Sequence, residues 1–492
     1  MARVSPTFFP FDLQITKSPC HSLSHGASQA FRTVVPAEED RIPLTTQNAI
    51  YPVLCYTPFI FLAYLTRRPD TYFIRLLWLP TVIIAILVSA YRFYWVPPEL
   101  NVHNWAQRKY PKIPLSSAKV TRYSCYLGFF AAVIIAKSLE YALTEEGMLK
   151  VGETRPGVMK GKSNGHAPVN GFSPQAVQEA RSKNPYIATW LYDSIELVHT
   201  MRGLQWKFGQ GIYIPKQTRP LGRTAFLFST LIAFVKNYLI LDVLETLLKV
   251  FPGVGTPRGG TIFYTALTPS LRYTLSTVIH LITGTMLIAG FRMVYDLITL
   301  VAVACLGSSP LSWPPIMDRP WHADSIHTFW AKEWHQVLRQ TFLVFGGYPG
   351  MWIAGEYGRV FGAFLASGLF HACSMYTPRQ GFDYATTIFF GSQGLILLFE
   401  RLWKRFTGRK VGGWIGRLWV YFVMFVAAQP MGNLFIQIFL YFYLIFFFTV
   451  DAWHRRGLGG GMVIPHFLSP MRVIVLPRVR QFLLAKLVPR RP

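Results

Sequence analysis

Apolar segments of about 20 residues recur along most of this 492-residue chain and constrain its fold more than any other feature. An apolar α-helix of about that length is needed to cross the hydrocarbon core of a bilayer. Such segments lie at 48–65, 76–95, 123–143, 226–248, 273–306, 359–376, 384–402, 414–430 and 434–450. The pattern predicts an all-α, polytopic membrane protein with roughly eight to ten transmembrane helices.

The placement of the charges agrees with a membrane protein and argues against nucleic-acid binding, which the net charge alone would suggest. The chain carries 49 Lys and Arg against 23 Asp and Glu, a formal net charge of +26. Because the basic residues cluster beside apolar segments, we expect them to set orientation and to contact anionic lipid headgroups. The basic C-terminal tail is predicted to be cytosolic, and counting spans backwards places the loop 404–410 and residues 308–359 on the same side.

Composition divides the chain into five regions. We predict a polar N-terminal segment over 1–45, transmembrane helices over 46–143, an extramembrane loop over 144–223, a second membrane region over 224–455 and a basic tail over 456–492. The loop is rich in Gly, Pro, Ser and basic residues, which a bilayer core would not accept. The five cysteines form no Cys-x-x-Cys pair, so neither a disulfide framework, a zinc site nor another metal centre is expected.

Two predicted spans contain charged residues. Lys137 and Glu140 lie three residues apart in the segment 123–143, and we expect them to neutralise each other. The segment 273–306 is too long for one simple span, so Gly290 and Arg292 predict either a break between two short helices or a re-entrant turn.

A Trp-rich stretch over 325–339 is predicted to form an amphipathic interfacial helix. On a helix, Trp330, Trp334 and Leu338 share one face, while His335 and Arg339 form an adjacent stripe. One interpretation is an aromatic belt at the headgroups; the other is that His335 and Arg339 face the mouth of a polar tunnel.

His371 lies next to small residues inside the segment 359–376. An ionisable group inside a membrane segment is a candidate functional residue, and a buried imidazole is held neutral and able to accept a proton. This suits a general base. His280 in the segment 273–306 is a competing candidate, and either residue could instead be a satisfied core histidine.

At these residues the chain resembles the wax-synthase-like branch of the membrane-bound O-acyltransferase superfamily, particularly its fungal members. The similarity runs from residue 190 to 455 and rests on Trp313-Pro314-Pro315, Ser325, the Phe-Trp-x-x-x-Trp-His pattern at 329–335 and Ser367-Gly368-Leu369-Phe370-His371. A further block, Arg202-Gly203-Leu204-Gln205-Trp206, resembles the Arg-Gly-x-x-Trp of fungal relatives.

The resemblance implies a membrane-bound acyl-CoA:alcohol O-acyltransferase that transfers the acyl group directly to a hydroxyl. His371 would be the general base, and His335 would orient the thioester or polarise its carbonyl. Trp330, Trp334, Lys332 and Arg339 would bind substrate or CoA; the two basic residues fit positive-inside charges equally well. Acyl-CoA and a hydrophobic alcohol would be the co-substrates, and no bound cofactor is expected.

For the substrates, the resemblance favours acetyl transfer to a terpenoid or meroterpenoid hydroxyl in secondary metabolism, at the endoplasmic reticulum. A long-chain wax ester or sterol ester synthase is the alternative, and a transporter or a non-catalytic scaffold is a more distant one. Phe370 and Met375 either shorten an acyl tunnel near His371 or only pack between helices.

Overall fold

The computed structural model describes residues 29–95, 117–159, 189–374, 384–426, 450–455 and 464–478, with gaps at 37–39, 45–46, 49, 55, 256–258 and 452. The predicted span 434–450, Met375 and most of the basic tail lie outside these residues, except for residue 450 of that span.

The described chain is mostly helical, in agreement with the all-α prediction. The longer helices are α1 (Thr57–Thr66), α2 (Tyr72–Tyr91), α3 (Ser117–Leu143), α4 (Thr189–His199), α5 (Arg223–Leu248), α6 (Pro269–Ala304), α7 (Tyr348–Ser374), α8 (Tyr384–Thr407) and α9 (Gly413–Tyr421). Shorter helical segments are Ile50–Leu54, Ile326–Thr328, Arg339–Phe342 and the π-helical turns Phe329–Glu333, Leu343–Gly347, Phe422–Val426 and Met471–Val475. Single 3₁₀ turns lie at Lys207–Gly209, Pro310–Ser312, Pro320–His322 and His466–Leu468.

The strands are short and form two separate pairs. Ile42–Leu44 runs parallel to Phe93–Trp95, and Glu153–Arg155 is antiparallel to Val158–Met159. The second pair lies within the predicted extramembrane loop.

Among the described residues, α2, α5 and α6 are long and apolar enough to cross a bilayer, with a mean hydropathy of 1.7 to 2.2 over their most apolar 18 residues. Large apolar side chains on α2 face outwards, with Phe73 78 % and Leu77 81 % exposed. An apolar surface along a whole helix is unfavourable in water but stable in the hydrocarbon core of a bilayer. The helices therefore indicate a membrane protein.

Helix α6 is continuous over 36 residues, so both interpretations of Gly290 and Arg292, a break and a re-entrant turn, are wrong. At 1.5 Å per residue the helix is about 54 Å long, well beyond a hydrocarbon core of about 30 Å. Its polar groups instead meet partners in neighbouring segments: Arg292 donates to the Asp318 carbonyl oxygen, and Asp296 pairs with Arg219 at 2.6 Å. These contacts satisfy the charged part of the helix without interrupting it.

The segment α7 consists of two helical arms that form a hairpin and is not one continuous span. Ala354 and Gly355 leave helical geometry, with φ of −139° and 57°, and the chain reverses there. The two arms pack closely because a Cβ on any of four glycines would overlap the backbone of the facing one: Gly346 against Gly362 and Gly350 against Gly358. Small residues permit this kind of close helix packing. The second half of the predicted cytosolic segment 308–359 is thus a helix that runs beside the predicted span 359–376.

A buried ionic cluster orders both ends of the predicted loop. The Arg67 guanidinium, just after α1, pairs with Glu153 at 2.6 Å and with Asp193 at 3.0 Å, and Lys150 pairs with Asp193 and Glu196 at 2.7 Å. Burial by itself would raise the pKa of Glu153, but the hydrogen bonds and charge of Arg67 hold it below its ordinary value. This part of the loop is a folded polar domain.

The described part of the basic tail is packed against α5. Asp242 accepts hydrogen bonds from the Ser469 hydroxyl and from the Met471 amide, and Arg472 pairs with Glu245 at 3.1 Å. Residues 464–478 are therefore part of the folded structure.

Candidate active site

The hairpin explains how His335 and His371 come together. The helical arms on either side of residues 354–355 are antiparallel, so residues at similar distances from the turn lie at the same level. Phe342 on the first arm accordingly contacts His371 on the second, with ring centroids 6.3 Å apart. Ring contacts through Trp334, Trp330 and Phe390 link His335 to His371.

The environment of His371 fixes its proton-bearing nitrogen. Its Nδ1 lies 2.7 Å from the carbonyl oxygen of Ser367, one turn earlier in α7. A carbonyl oxygen only accepts hydrogen bonds, so Nδ1 carries the proton and Nε2 of the neutral ring presents a lone pair. Nε2 is therefore the atom able to take a proton from a substrate.

Aromatic rings surround the His371 imidazole. Phe390 stacks on it at 4.5 Å between centroids with an interplanar angle of 19°, and Phe370, Phe129 and Phe342 lie at 5.4, 5.7 and 6.3 Å. These four phenylalanines come from α8, α7, α3 and the segment Arg339–Phe342. The His371 imidazole therefore sits in an apolar enclosure built by four parts of the chain.

Trp330 and Trp334 connect this enclosure to His335. Trp330 lies 6.0 Å from Phe390, and its indole N–H donates to the Gln393 side chain at 3.1 Å. Trp334 lies 6.2 Å from Trp330 and 5.2 Å from His335. Nδ1 of His335 is buried and has no hydrogen-bond partner among the described residues.

The predicted amphipathic helix over 325–339 is wrong. Ser325 caps the short helix Ile326–Thr328, a π-helical turn follows, and the backbone is extended at Trp334, with ψ of 157°. The Gln336 side chain stabilises the break by donating to the carbonyl oxygens of Trp330 and Trp334 at 2.7 and 3.1 Å. The stripe predicted from helical spacing, His335 with Arg339, does not form.

Lys332 and Arg339 occupy different environments. The Lys332 ammonium is exposed and lies 5.9 Å from the centre of the Tyr213 ring. Burial and a hydrogen bond to Asp318 raise the pKa of Tyr213 to about 12, so the ring is neutral beneath the cation. Arg339 is half-buried, and burial lowers its pKa while the hydroxyl of Tyr348 acts in the opposite direction.

Several basic side chains lie near Lys332 on the surface, and the sequence did not predict that they lie together. Burial lowers the pKa of His327; Glu400 opposes this effect, whereas Arg401, Lys332 and Lys410 add to it. The three cations are exposed, and their charges act on His327 although they come from separate segments. Their spacing along the sequence gives no signal of this.

Arg202 joins two of the motifs that carry the resemblance, the Arg-Gly-x-x-Trp block and Trp313-Pro314-Pro315. Its guanidinium donates to the carbonyl oxygens of Pro314 and Pro315 at 2.9 and 2.7 Å and to the Tyr295 hydroxyl at 2.7 Å. Gly203 follows with φ of 62°, where a Cβ would overlap Phe208. The Arg-Gly-x-x-Trp block is thus a structural clamp on the Trp-Pro-Pro segment.

Lys137 and Glu140 form no direct ion pair: their charges interact, but each side chain has its own hydrogen-bond partners. Lys137 donates to the carbonyl oxygens of Leu197, Val198 and Thr200 at the end of α4, where a helix dipole favours a cation. Glu140 accepts a hydrogen bond from Gln340, whose amide also lies 3.0 Å from the Tyr348 hydroxyl. This network ties α3 to the segment between His335 and His371.

The competing histidine, His280, is fully buried in α6 and lies beside His454. The described contacts connect His371 with His335, Trp330 and Trp334, and they place His280 in another part of the fold. Sequence reasoning missed Phe129, Phe342, Phe390 and Gln393, which complete the candidate site.

The arrangement is suited to removing a proton from a hydroxyl in a dry environment. A neutral imidazole with a fixed tautomer accepts a proton at Nε2, and exclusion of water protects a reactive acyl donor from hydrolysis. Among the described residues, no group of three or more His, Cys, Asp or Glu is placed to hold a metal ion.

Comparison with known proteins places the similarity at this site. Residues 313–392 match the model of the membrane bound O-acyl transferase family. Acetyltransferase ple2 of Rhodocybe pseudopiperita is 26 % identical over 253 residues, which cover 47 % of this chain and 61 % of the relative. Acetyltransferase atnC of Arthrinium sp is 27 % identical over 277 residues, covering 50 % and 63 %.

A third relative is named for another activity: O-Mevalon transferase macI of Penicillium terrestre is 24 % identical over 238 residues, covering 42 % of this chain and 52 % of the relative. No solved structure matches the chain. The chain thus spans about three fifths of the length of the first two relatives. The matched residues 313–392 contain all six predicted site residues, so the part of the chain that is similar to membrane bound O-acyl transferases is the part that forms the candidate active site.

Proposed function

We propose that the protein is an acyl-CoA-dependent O-acyltransferase that transfers acetyl to a hydroxyl of a terpenoid or meroterpenoid in secondary-metabolite biosynthesis. The observation that carries the proposal is the fixed tautomer of His371, whose Nε2 faces an apolar enclosure within the segment similar to membrane bound O-acyl transferases. A long-chain wax ester or sterol ester synthase is the alternative.

The reaction follows from the position of His371. Nε2 removes the hydroxyl proton as the oxygen attacks the thioester carbon, and a tetrahedral intermediate with a negative oxygen forms. Collapse of this intermediate breaks the carbon–sulfur bond and releases CoA as the thiolate. The proton on Nε2 passes to the thiolate, which leaves a neutral CoA thiol, the ester and a neutral His371.

His335 has a second role in this proposal. Its unpartnered Nδ1 and its position near His371 suit a donor to the thioester carbonyl, where negative charge develops in the transition state. Trp330 and Trp334 would line the space between the two imidazoles. Lys332, with the basic residues around His327, would meet the phosphates of CoA.

The acetyl donor is supported by the names of four relatives, which are acetyltransferases; the terpenoid-type acceptor follows from the resemblance. The apolar enclosure agrees with a hydrophobic acceptor that enters from the membrane. We place the enzyme in the endoplasmic reticulum as a multi-pass protein with eight to ten spans, in which acyl-CoA arrives from the cytosol.

A competition assay tests the substrate proposal. Microsomes containing the protein are offered acetyl-CoA and palmitoyl-CoA together with a hydroxylated polycyclic terpenoid, a long-chain alcohol and a sterol. We expect acetylation of the terpenoid in preference to all other products, measured by mass spectrometry. Preferred transfer of palmitoyl to the long-chain alcohol would contradict the acetyltransferase proposal and support wax ester synthesis.

The orientation proposal has a separate test. Arg319 has a 70 % exposed side chain and Lys410 is exposed, and their segments lie on one side of the fold because the Asp324 carboxylate accepts from the Gly413 amide at 3.3 Å. Cysteines introduced at 319 and 410 should both react with an impermeant thiol reagent in sealed microsomes with the cytosolic face outwards. Labelling of both only after detergent treatment would place this face in the lumen.

A further inference from the structure

We propose that Phe129, Phe342 and Phe370 form a wall that limits the acyl group accepted beside His371 to a short chain. The inference rests on the proposed function and adds to it the residues that determine acyl-chain length.

The position of the acyl carbon follows from the role proposed for His371. A hydroxyl that gives its proton to Nε2 lies within hydrogen-bond reach of that atom, and the carbon it attacks lies about 3–3.5 Å further on. The acyl carbon therefore lies within a few ångströms of the imidazole. Any group within that distance of the ring competes with the acyl chain for space.

The three phenylalanines occupy that space as one continuous surface. Phe129 lies 4.9 Å from Phe370, and Phe342 lies 5.4 Å from Phe370. Each of the three also contacts His371, at centroid distances of 5.4 to 6.3 Å. A long acyl chain could pass this surface only if one of the rings moved.

The wall is held in place from both sides. Phe370 is 7 % exposed and belongs to the α7 arm that carries His371. Phe342 lies two residues after Gln340, which is tied to Glu140 of α3, and Phe129 belongs to α3 as well. These contacts from α3, α7 and the segment Arg339–Phe342 hold the three rings beside His371, so the rings limit the space next to the imidazole.

Removing one ring should open the site to longer chains. An apolar cavity left by a deleted side chain remains dry and binds apolar groups that fit it. One methylene in an apolar pocket changes specificity by about 10-fold or more. For Phe342→Ala and Phe129→Ala, we expect the ratio of hexanoyl to acetyl transfer to rise at least about 10-fold relative to the unaltered protein.

The experiment measures initial rates with acetyl-CoA, butyryl-CoA and hexanoyl-CoA, using the acceptor that is acetylated in the competition assay. Phe226→Ala is the control, because it also removes a phenylalanine ring but does so at the start of α5, where Phe226 is fully buried. The control should lower all three rates in proportion to protein amount and leave their ratio unchanged. Phe342→Leu and Phe129→Leu provide milder variants if the alanine variants do not fold.

The outcomes separate the two proposals. Unaltered protein that transfers none of these acyl groups to any acceptor contradicts the proposed function. Unaltered protein that acetylates while folded variants keep its chain-length ratio contradicts the wall. Loss of all transfer in folded alanine and leucine variants also contradicts it, because the rings would then serve to hold His371 and not to limit the chain.

Discussion

Replacement of His371 by alanine is expected to lower acyl transfer by about 10²–10⁴-fold, because the reaction loses its general base. The residue is placed for this role by its Nδ1 contact with Ser367 and by the rings around it. The measurement is the initial rate of acetyl transfer in microsomes, divided by the amount of protein determined by immunoblot.

Two comparisons separate loss of chemistry from loss of structure. His371→Gln keeps a polar side chain of similar volume but lacks a basic nitrogen, so it should be nearly as inactive as His371→Ala. His280→Ala alters another buried histidine, and we expect its activity per folded molecule to be within a few-fold of the unaltered protein. Near-normal transfer by either His371 variant would remove His371 from the mechanism.

The sequence predicts helices well where one apolar segment makes one helix. The apolar segments 76–95, 226–248 and 384–402 correspond to α2, α5 and α8. Most of the predicted ends agree with the observed ends within a few residues. Proline helps to define such boundaries, as Pro269 does in the first turn of α6, where its missing N–H costs no hydrogen bond. Length and hydropathy are local properties, so the chain displays them directly.

Helical periodicity fails where tertiary contacts override it. The spacing of Trp330, Trp334 and Leu338 predicts a single amphipathic helix, yet the Gln336 side chain satisfies carbonyl groups at a break beside Trp334. The glycines of the α7 hairpin likewise give no local signal that two arms will pack face to face. These outcomes depend on distant partners, which a local pattern does not contain.

The candidate site likewise contains residues that the sequence predicts and residues that only the fold reveals. His371 and His335 are recognisable because an imidazole is unusual among apolar residues and because their motif resembles a family. Phe129 and Phe390 are two among 39 phenylalanines, and only the packing of α3 and α8 against α7 brings them to His371. The chemistry of a site can be predicted from rare residues, whereas the shape of its cavity requires the fold.

Breaking the Arg67 cluster is expected to lower the free energy of unfolding strongly. Arg67→Met leaves the Glu153 carboxylate, whose side chain is 1 % exposed, without its guanidinium partner. Removing one partner of a buried ion pair typically costs about 3–5 kcal/mol. The Arg67 guanidinium also lies 5.1 Å from the centre of the Trp206 ring, so its loss should loosen the Arg-Gly-x-x-Trp block as well.

Equilibrium unfolding of purified protein in mixed detergent micelles measures this cost. Arg67→Met/Glu153→Leu removes both charges, and replacing a whole buried pair by apolar residues is often close to neutral, so the double variant should be more stable than Arg67→Met alone. Arg359→Met breaks an exposed pair with Glu356 and should cost no more than about 1 kcal/mol. If Arg67→Met were as mild as Arg359→Met, the cluster would not stabilise the fold, and the loop would have to be held by its other contacts.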